Sequence, residues 1–431
     1  MKIPEVFRQN LLLKMTSLNS AAVLLKMALT FVTQKILAVV LGPAGVAHVG
    51  NFKNLLPLVA TFSSLGIFSG IIKYVAELKE DQKELSKLLS TSSTLIAVAS
   101  IVCFLALFFG APFLNTWIFN DTYDYVYIFR FLAVAAPFIA FLGLFDAVLS
   151  GLSRYKNLVK INTYLAFLSA AIVILLVYYN KLEGALLAMA ILPILQLVFF
   201  GHLYYKVIRA YCSFKDIRWK TPYKKQLSVF VIMALFSGVL SGAIELKLRT
   251  YLMYKIDISQ AGYWTGMTNI SNQYFLLVSA IFSWYVLPKF ATISTSTAFR
   301  AEVLKIYKTL LPLFFAGCLL LYFGREWVII LVKSKEFLGM KPLFKWQLTG
   351  DFIKIATLVV SYQFLAKKML KAFVVTEIIS LALFYSISLL LVDSKGAEGI
   401  VIAHCIRYVV YFFVVIIALR KHIFGNRTLP V

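Results

Sequence analysis

The stretch from Thr163 to Tyr179, TYLAFLSAAIVILLVYY, decides the fold of this chain. It carries no charged side chain and shows no alternation of apolar and polar residues, which excludes a strand of a membrane barrel and indicates a helix. A helix of about 20 apolar residues spans a hydrocarbon core about 30 Å thick. Similar stretches recur from Ser17 to Leu419, so the chain is predicted to be an integral membrane protein built from helices.

Composition supports a membrane protein and excludes several soluble classes. The 431 residues are 61% hydrophobic and 14% charged, whereas soluble domains are about half apolar and about a quarter charged. The formal net charge of +24 would suggest nucleic-acid binding in a soluble chain. Here the basic residues concentrate in short loops, where they set membrane orientation, so no nucleic-acid partner is predicted. The four scattered cysteines predict neither disulfides nor a metal site.

About twelve transmembrane helices are predicted from the apolar stretches. They lie near residues 17–41, 52–76, 91–114, 126–150, 158–180, 183–205, 226–251, 261–287, 303–324, 343–366, 372–392 and 398–419. With a cytoplasmic N-terminus, the cytoplasmic segments hold 27 of the 43 Lys and Arg residues and the opposite side holds eight. Because positive residues favour the cytoplasmic side, both termini are predicted to be cytoplasmic. Residues 325–345 run against this rule, with five basic residues on the opposite side.

An internal repeat divides the predicted helices into two halves. Three pairs of residues recur at offsets of 217, 216 and 215 positions: Gly45 and Gly262, Lys73 and Lys289, Gly184 and Gly399. Because six is an even number, both halves begin on the same side of the membrane and form a parallel repeat. The predicted fold is an all-α membrane protein with two six-helix lobes, residues 1–205 and 226–431, joined by a cytoplasmic linker at 206–225.

Ionisable residues inside the predicted spans outline a site. Such residues are costly in a bilayer and mark substrate pathways by default. The basic ones are Lys26, Lys35, Lys53, Arg130, Lys247, Arg249, Lys354 and Arg407. The acidic ones are Asp146, Glu245, Asp351 and Glu377. Because bases outnumber acids, internal pairing cannot neutralise the set, and the excess positive charge is predicted to face water or an anionic ligand.

Helical geometry narrows the choice on the first helix of each half. Lys26 lies in the middle of the first helix, and Lys247 and Arg249 lie on the first helix of the second half. At about 100° per residue the last two side chains diverge by about 200°. One of them is therefore expected to line a cavity, while the other pairs with Glu245 or extends to the membrane interface.

The other charged candidates have two interpretations each. Lys35 and Lys53 either line the cavity or, being near helix ends, extend to the interface. Asp351 and Lys354 are three positions apart on one helix face, so they either meet the substrate or neutralise each other. No glycine-rich phosphate loop or nucleophile elbow accompanies these residues. The chain is therefore predicted to be a transporter rather than an enzyme, without a metal or cofactor.

Several motifs resemble one transporter family. The first half carries KILAVVLGPAG at 35–45, NFK at 51–53 and TFSSLGIF at 61–68, and the second half carries WQLTGD at 346–351. These motifs are similar to those of the Wzx-type lipid-linked oligosaccharide flippases, in particular the enterobacterial group that carries lipid III or O-antigen units. The likeness covers nearly the whole chain in length and helix plan.

The resemblance implies membership of the MOP (multidrug/oligosaccharidyl-lipid/polysaccharide) exporter superfamily, whose members have two six-helix lobes and work by alternating access. Wzx-type flippases move undecaprenyl-pyrophosphate-linked oligosaccharides from the cytoplasmic to the periplasmic leaflet of the bacterial inner membrane. Membrane lipid, a glycan polymerase and a chain-length regulator are the expected partners. Arg407 does not match the family pattern. The predicted substrate-binding residues are Lys26, Lys35, Lys53, Lys247, Arg249, Asp351 and Lys354.

Two other functions remain as alternatives. A small-molecule or cation exporter of the same superfamily would need interior acids to dominate, and here the bases do. A membrane-embedded glycan polymerase would need a catalytic loop, for which 325–345 is the only candidate. A pyrophosphate, as a dense anion, fits the excess of interior cations independently of the resemblance. The glycan and the coupling ion stay open, with Asp351 or Glu377 as residues that could carry a proton.

Overall fold

The structure, a computed structural model, describes residues 11–120, 123–152, 155–211, 221–234, 238–367 and 369–425. Of the predicted linker at 206–225, positions 212–220 lie outside these ranges. In the described part, α-helices follow one another as α1 Leu11–Ser64, α2 Phe68–Leu78, α3 Gln82–Phe119, α4 Val126–Gly151, α5 Tyr155–Tyr211, α6 Lys224–Ala234, α7 Leu240–Tyr251, α8 Ile258–Ile281, α9 Leu287–Thr292, α10 Ser296–Phe323, α11 Arg325–Val332, α12 Lys341–Ala366, α13 Leu370–Lys395, α14 Ala397–Ala418 and α15 Arg420–Phe424.

Three shorter segments connect some of these helices. The π-helical segments Leu252–Ile256 and Phe282–Val286 continue α7 and α8, and the 3-10 helix Lys335–Met340 leads into α12. The predicted loop at 325–345 is therefore helical along most of its length. Side chains of Asp81, Asp257 and Thr295 accept hydrogen bonds from the first backbone N–H groups of α3, α8 and α10, which begins each helix at that residue.

The chain divides into two compact units. Unit 1 comprises the residues up to Val40 together with Leu55–Leu235, and unit 2 comprises Leu41–Asn54 and Phe236–Val431. The sequence places residues 41–54 in the first half, whereas the structure groups them with unit 2. Unit 1 packs α2, α3 and α4 around a shared apolar cluster. Unit 2 packs α8, α10 and α12 around one cluster and α12 and α14 around another.

Two long helices are each interrupted at one residue. In α1, Gly42 has φ 62 and ψ −174, and in α5, Lys181 has φ 47 and ψ −121. The predicted spans leave 42–50 as a turn, but the structure resumes the helix directly after Gly42. Glycine tolerates this positive φ without a steric penalty, so one residue suffices to end a helix and begin the next.

The predicted span at 52–76 is wrong in one respect, because the helix breaks in its middle. Leu65 and Gly66 have positive φ values of 54 and 64, and α2 begins afresh at Phe68. A Cβ placed on Gly66 would lie 2.0 Å from the Cβ of Ala234. The break therefore brings the backbone at Gly66 against α6, which a longer side chain would prevent.

Within the described residues, seven helices are long and apolar enough to cross a membrane. Two of them, Leu25–Ser64 and Lys160–Gly201, are 40 and 42 residues long and contain the breaks at Gly42 and Lys181. At 1.5 Å per residue each is long enough for two passes through a core of about 30 Å. Large apolar side chains such as Phe109 and Leu320 are 75% and 76% exposed. The chain is a multi-pass membrane protein.

Candidate functional site

Unit 2 contains a polar cavity of about 240 Å³. Residues of α1, α7, α8, α12, α13 and α14 line it. Three predicted spans, 226–251, 261–287 and 343–366, are absent from the seven apolar helices. The helices in these spans, α7, α8 and α12, contribute many of the polar residues that line the cavity, including Glu245, Asn269 and Gln347. The polar lining residues account for the lower hydropathy of α8 and α12, whereas α7, with 12 residues, is itself shorter than a membrane span.

Charged side chains of both signs line this cavity, with cations in excess. The cations are Lys53, Arg249, Lys354 and Arg407, and the carboxylates are Glu245 and Glu377. Four of the residues predicted to bind substrate are therefore at or beside one site: Lys53, Arg249 and Lys354 line it, and Asp351 lies directly behind it. The cavity carries the net positive charge that the sequence indicates.

Arg249 lies at the wall of the cavity and is only 2% exposed. Its Nη1 donates to the backbone carbonyl of Gly50 at 3.2 Å, and its guanidinium carbon lies 4.9 Å from the centre of the Trp264 ring. In the described structure its Nε has no hydrogen-bond partner. A buried donor left unsatisfied costs about 1–3 kcal/mol, so the guanidinium is not fully compensated by the protein.

Asp351 is fully buried and fully occupied by hydrogen bonds from the protein. Its carboxylate accepts from Ser271 Oγ at 2.6 Å, from the hydroxyl of Tyr274, and from Gln347 Nε2 at 3.1 Å. His404 Nε2 lies 2.9 Å from Oδ1. Asp351 does not itself line the cavity; it holds Gln347 and His404, which do. Asp351 thus lies behind the cavity wall rather than in its lining.

Lys354 is not among the groups that hydrogen-bond Asp351. Its Nζ lies 4.0 Å from the centre of the Phe275 ring and 5.6 Å from that of Tyr408. Aromatic faces attract a cation, although more weakly than a carboxylate does in a desolvated pair. Asp351 and Lys354 therefore form no direct ion pair. Asp351 contacts His404 instead, and Lys354 lines the cavity.

Arg407 lines the cavity but is not among the predicted substrate-binding residues. Its Nε donates to Ser380 Oγ at 2.7 Å, and its Nη2 lies 3.3 Å from Glu377 Oε1. The guanidinium also lies over the rings of Phe384 and Tyr408. The spacing of three between Glu377 and Ser380, which puts them on one face of α13, is the signal that could have identified this cluster.

Three predicted residues, Lys247, Lys35 and Lys26, lie away from this cavity. Lys247 is exposed, and its Nζ lies 5.2 Å from the centre of the Tyr385 ring. Arg249 and Lys247 thus point in different directions, as the helical geometry predicts, and Arg249 is the one at the cavity. Lys35 is half-buried and lines neither this cavity nor the one in unit 1 described next.

Lys26 lines a second cavity, which lies wholly within unit 1. This cavity has a volume of about 360 Å³ and includes the side chains of Asp146, Asn162, Ser169 and Gln196. The predicted residue Lys26 therefore lies opposite a carboxylate rather than among other cations.

The basic residues of 325–345 are occupied by local contacts. Lys341 Nζ lies 2.6 Å from Glu326 Oε1, and this hydrogen bond lowers the pKa of Glu326. Arg325 donates to the carbonyl of Tyr322 at 2.7 Å, and Lys345 Nζ lies 5.0 Å from the centre of the Trp346 ring. Lys333 is only 1% exposed. These contacts account for most of the basic side chains of the segment within the protein itself.

Comparisons with known proteins agree with this architecture. Residues 12–298 match the family described as "Polysaccharide biosynthesis protein". The chain is 29% identical over 399 residues to proteins named "Lipid III flippase" from Escherichia coli (strain K12) and Shigella flexneri, covering 91% of this chain and 94% of each relative.

Solved structures of low sequence identity share the fold. The structure titled "Lipid II flippase MurJ, inward closed conformation" aligns with a TM-score of 0.73 at 13% identity, over 94% of this chain and 89% of that one. An inward-facing MATE family transporter of the MOP superfamily aligns with a TM-score of 0.70 at 13% identity, over 92% of this chain and 95% of that one. The chain therefore belongs to the polysaccharide biosynthesis protein family and has the fold of MOP superfamily transporters.

Proposed function

We propose that this protein is a flippase that moves a polyprenyl-pyrophosphate-linked oligosaccharide from the cytoplasmic to the outer leaflet of the bacterial inner membrane. The observation that carries the proposal is the excess of cations in the unit-2 cavity. The names of the relatives support the substrate class, because two proteins that align with nearly the whole chain are called lipid III flippases. Lipid III or an O-antigen unit is the proposed cargo within that class.

The cavity offers cations that the protein leaves without a carboxylate. Within the described residues, Glu377 pairs with Arg407, whereas Lys53 and Lys354 have no carboxylate at salt-bridge distance. A cation without a carboxylate in direct contact is costly in a bilayer, so this arrangement favours an anionic ligand. The pyrophosphate that joins the lipid to the glycan is a compact dianion whose oxygens accept several charge-assisted hydrogen bonds, each contributing about 1.5–3 kcal/mol.

Arginine and lysine have separate roles in this proposal. The planar guanidinium of Arg249 is held by the Gly50 carbonyl and the Trp264 ring, so it presents its charge to the ligand in a fixed orientation. Lys354 is a flexible point charge over aromatic rings and can follow the phosphate as it moves. Arg407 exchanges its carboxylate partner Glu377 for a phosphate oxygen when the substrate binds.

The polyprenyl tail of such a substrate remains in lipid while the head group crosses. Twelve membrane passes with both termini in the cytoplasm are part of the proposal, and so is alternating access between two six-helix lobes. The breaks at Gly42 and Lys181 support this count, because each interrupts a helix that is long enough for two passes. A glycan polymerase and a chain-length regulator are the proposed partners for the delivered unit.

The direct test is transport in proteoliposomes. A fluorescent polyprenyl-pyrophosphate oligosaccharide is incorporated, and its protection from a membrane-impermeant quencher is followed over time. We expect Arg249→Gln and Lys354→Gln to lower the initial rate at least tenfold, while the matched control Lys247→Gln, outside the cavity, keeps the wild-type rate. Equal rates in all four proteins would contradict the proposal. Export of a lipophilic organic cation without lipid transport would favour the small-molecule exporter instead.

Topology is tested separately. A reporter enzyme active only in the periplasm, fused after residue 431, should be inactive, and a cytoplasmic reporter at the same place should be active. The reverse pattern would overturn the cytoplasmic C-terminus and with it the proposed topology.

A further inference from the structure

The unit-1 cavity has a different chemistry from the cationic cavity in unit 2. Its polar lining contains one ammonium group, one carboxylate, two carboxamides and hydroxyls, from Lys26, Asp146, Asn162, Gln196 and Ser169 among others. Lys26 and Asp146 interact electrostatically but do not close into an ion pair at salt-bridge distance in the described structure. Two opposite charges thus face one open space without neutralising each other by contact.

Two polar side chains of this cavity have hydrogen-bonding capacity that the protein does not use. Asp146 Oδ1 is buried and has no hydrogen-bond partner in the described structure. Gln196 Nε2 donates to Ser169 Oγ at 2.9 Å, and Ser169 donates in turn to the carbonyl of Leu165 at 2.6 Å. This chain of hydrogen bonds fixes the carboxamide of Gln196 and leaves its carbonyl oxygen as an acceptor. Native proteins rarely leave buried acceptors unpaired without a reason.

The remaining lining is apolar. The apolar residues of the wall are Leu29, Leu142, Leu165, Ala166, Ala170 and Val173. The volume of about 360 Å³ is near the lower end of the range for small-molecule sites, about 300–1,000 Å³. The cavity therefore suits a compact ligand with one apolar face and several groups that both donate and accept hydrogen bonds.

This set of groups distinguishes among ligand classes. A second phosphate is disfavoured because Asp146 would repel it and only Lys26 would attract it. An organic cation is disfavoured because Lys26 would repel it. A lipid tail would leave the buried carboxylate oxygen unsatisfied, at a cost of several kcal/mol for a charged group. A sugar ring provides a partner for each of these polar side chains. Its hydroxyl and acetamido groups donate to Asp146 and Gln196 and accept from Lys26 and Asn162.

We propose that the unit-1 cavity, through Lys26, Asp146, Asn162 and Gln196, binds a sugar ring of the transported glycan. The inference rests on the proposed function and adds a glycan-recognition site that is separate from the cationic cavity. It predicts that the protein distinguishes a lipid pyrophosphate that bears a sugar from one that does not, and that residues of unit 1 make this distinction.

The experiment compares two probes in the same proteoliposomes. One is undecaprenyl pyrophosphate, and the other is the same lipid bearing a single N-acetylhexosamine. We expect the wild-type protein to move the sugar-bearing lipid faster. Asp146→Asn and Gln196→Leu should lower its rate about tenfold, the equivalent of one or two lost hydrogen bonds, and leave the rate of the bare lipid unchanged. Arg249→Gln should lower both rates alike.

Three outcomes would overturn the inference. If Asp146→Asn and Gln196→Leu leave the ratio of the two rates unchanged, the cavity does not recognise sugar. If Asp146→Asn instead abolishes the dependence of transport on an imposed proton or sodium gradient, with an unchanged ratio, the cavity is a cation site. A wild-type protein that moves neither lipid would refute the proposed function as well. Thermal unfolding of each purified variant shows that the protein is folded, and Lys26→Gln serves as a second probe.

Discussion

Lys181 and Gly396, which lie 215 positions apart, adopt nearly the same left-handed backbone conformation. Their φ and ψ angles are 47 and −121 for Lys181 and 56 and −134 for Gly396. Each residue separates two consecutive helices of its own unit. Three residues later, Gly184 and Gly399 pack against the carbonyls of Leu176 and Leu391, so closely that a Cβ would lie 1.9 and 2.5 Å away. The two units therefore build the same helix-to-helix corner.

The corner in unit 1 carries a lysine where the corner in unit 2 carries glycine. This region of backbone space costs a residue with a Cβ about 1–3 kcal/mol, and Lys181 is exposed, so its side chain contributes little to packing. We expect Lys181→Gly to raise the free energy of unfolding by about 1 kcal/mol. The measurement is thermal unfolding of the purified protein in detergent.

The reverse change at the matching position provides the control. In Gly396→Ala the added Cβ would meet the positive φ and would also lie 1.7 Å from Gln260 Oε1. That oxygen accepts a hydrogen bond from the backbone N–H of Ala397 at 2.8 Å. Gly396→Ala should therefore lower the unfolding temperature. A lower unfolding temperature for Lys181→Gly would show that the lysine makes a stabilising contact that outweighs the backbone strain.

A second prediction concerns the close approach of α1 to the Arg249 side chain. A Cβ on Gly50 would lie 2.7 Å from Thr265 Cγ2 and 3.3 Å from Arg249 Nε. Gly50→Ala should displace α1 or the guanidinium and lower transport of the lipid pyrophosphate at least tenfold, because a shift of about 1 Å in a binding group costs that much or more. The assay is the proteoliposome transport measurement.

Gly317→Ala is the matched control for this change. Gly317 lies inside α10 of the same unit, and a Cβ there would meet no atom within 4 Å. Alanine favours a helix over glycine by about 1 kcal/mol, so Gly317→Ala should keep the transport rate and keep or raise the unfolding temperature. Wild-type transport in Gly50→Ala would show that the contact between Gly50 and Arg249 is not needed.

The helices could be read from the sequence because apolar length alone specifies a membrane span. The positions at which the helices break were predicted less accurately. A turn is predicted at 42–50, whereas in the structure only Gly42 departs from helical angles. The break at Leu65 and Gly66 lies inside a predicted span. Each break depends on a local backbone conformation and on which neighbour comes close, as Ala234 does at Gly66. Hydropathy averages over such single residues.

The site was predictable as a charge imbalance but only partly as a set of residues. Lys53, Arg249 and Lys354, which line the unit-2 cavity, could be predicted because a lysine or arginine inside an apolar span is conspicuous in the sequence. The contribution of Arg407 was harder to predict: the spacing of Glu377 and Ser380 indicates a shared face of α13, but only the pairing of α13 with α14 places Arg407 beside them. For the same reason the sequence could not tell that Asp351 pairs with His404.

The pairing of Asp351 leads to a third prediction. Removal of its carboxylate leaves the buried donors of Ser271, Tyr274 and Gln347 without their acceptor. Breaking a buried network of this kind typically costs about 3–5 kcal/mol. We expect Asp351→Ala to lower the unfolding temperature strongly and Asp351→Asn, which keeps one acceptor oxygen, to lower it less. Equal unfolding temperatures for the two variants would mean that the carboxylate does not hold the wall of the cavity.

The ion pair between Glu377 and Arg407 leads to the last prediction. Both side chains are largely buried, with exposures of 20% and 11%, and a bound phosphate must compete with Glu377 for the guanidinium. Glu377→Gln keeps the shape of the side chain but removes the competing charge. We expect this variant to lower the apparent KM for the lipid pyrophosphate about fivefold, which corresponds to about 1 kcal/mol. The KM is measured in proteoliposomes as a function of lipid concentration.

Whether this effect acts through Arg407 is decided by a double-mutant cycle. Arg407→Gln alone should raise the KM, because one cation of the cavity is lost. In the Arg407→Gln background, Glu377→Gln should have little further effect, since there is no longer a guanidinium for Glu377 to occupy. If Glu377→Gln lowers the KM equally in both backgrounds, the carboxylate repels the substrate directly. If it raises the KM in the wild-type background, Glu377 instead positions Arg407 for the phosphate, and the exchange of partners proposed for Arg407 is wrong.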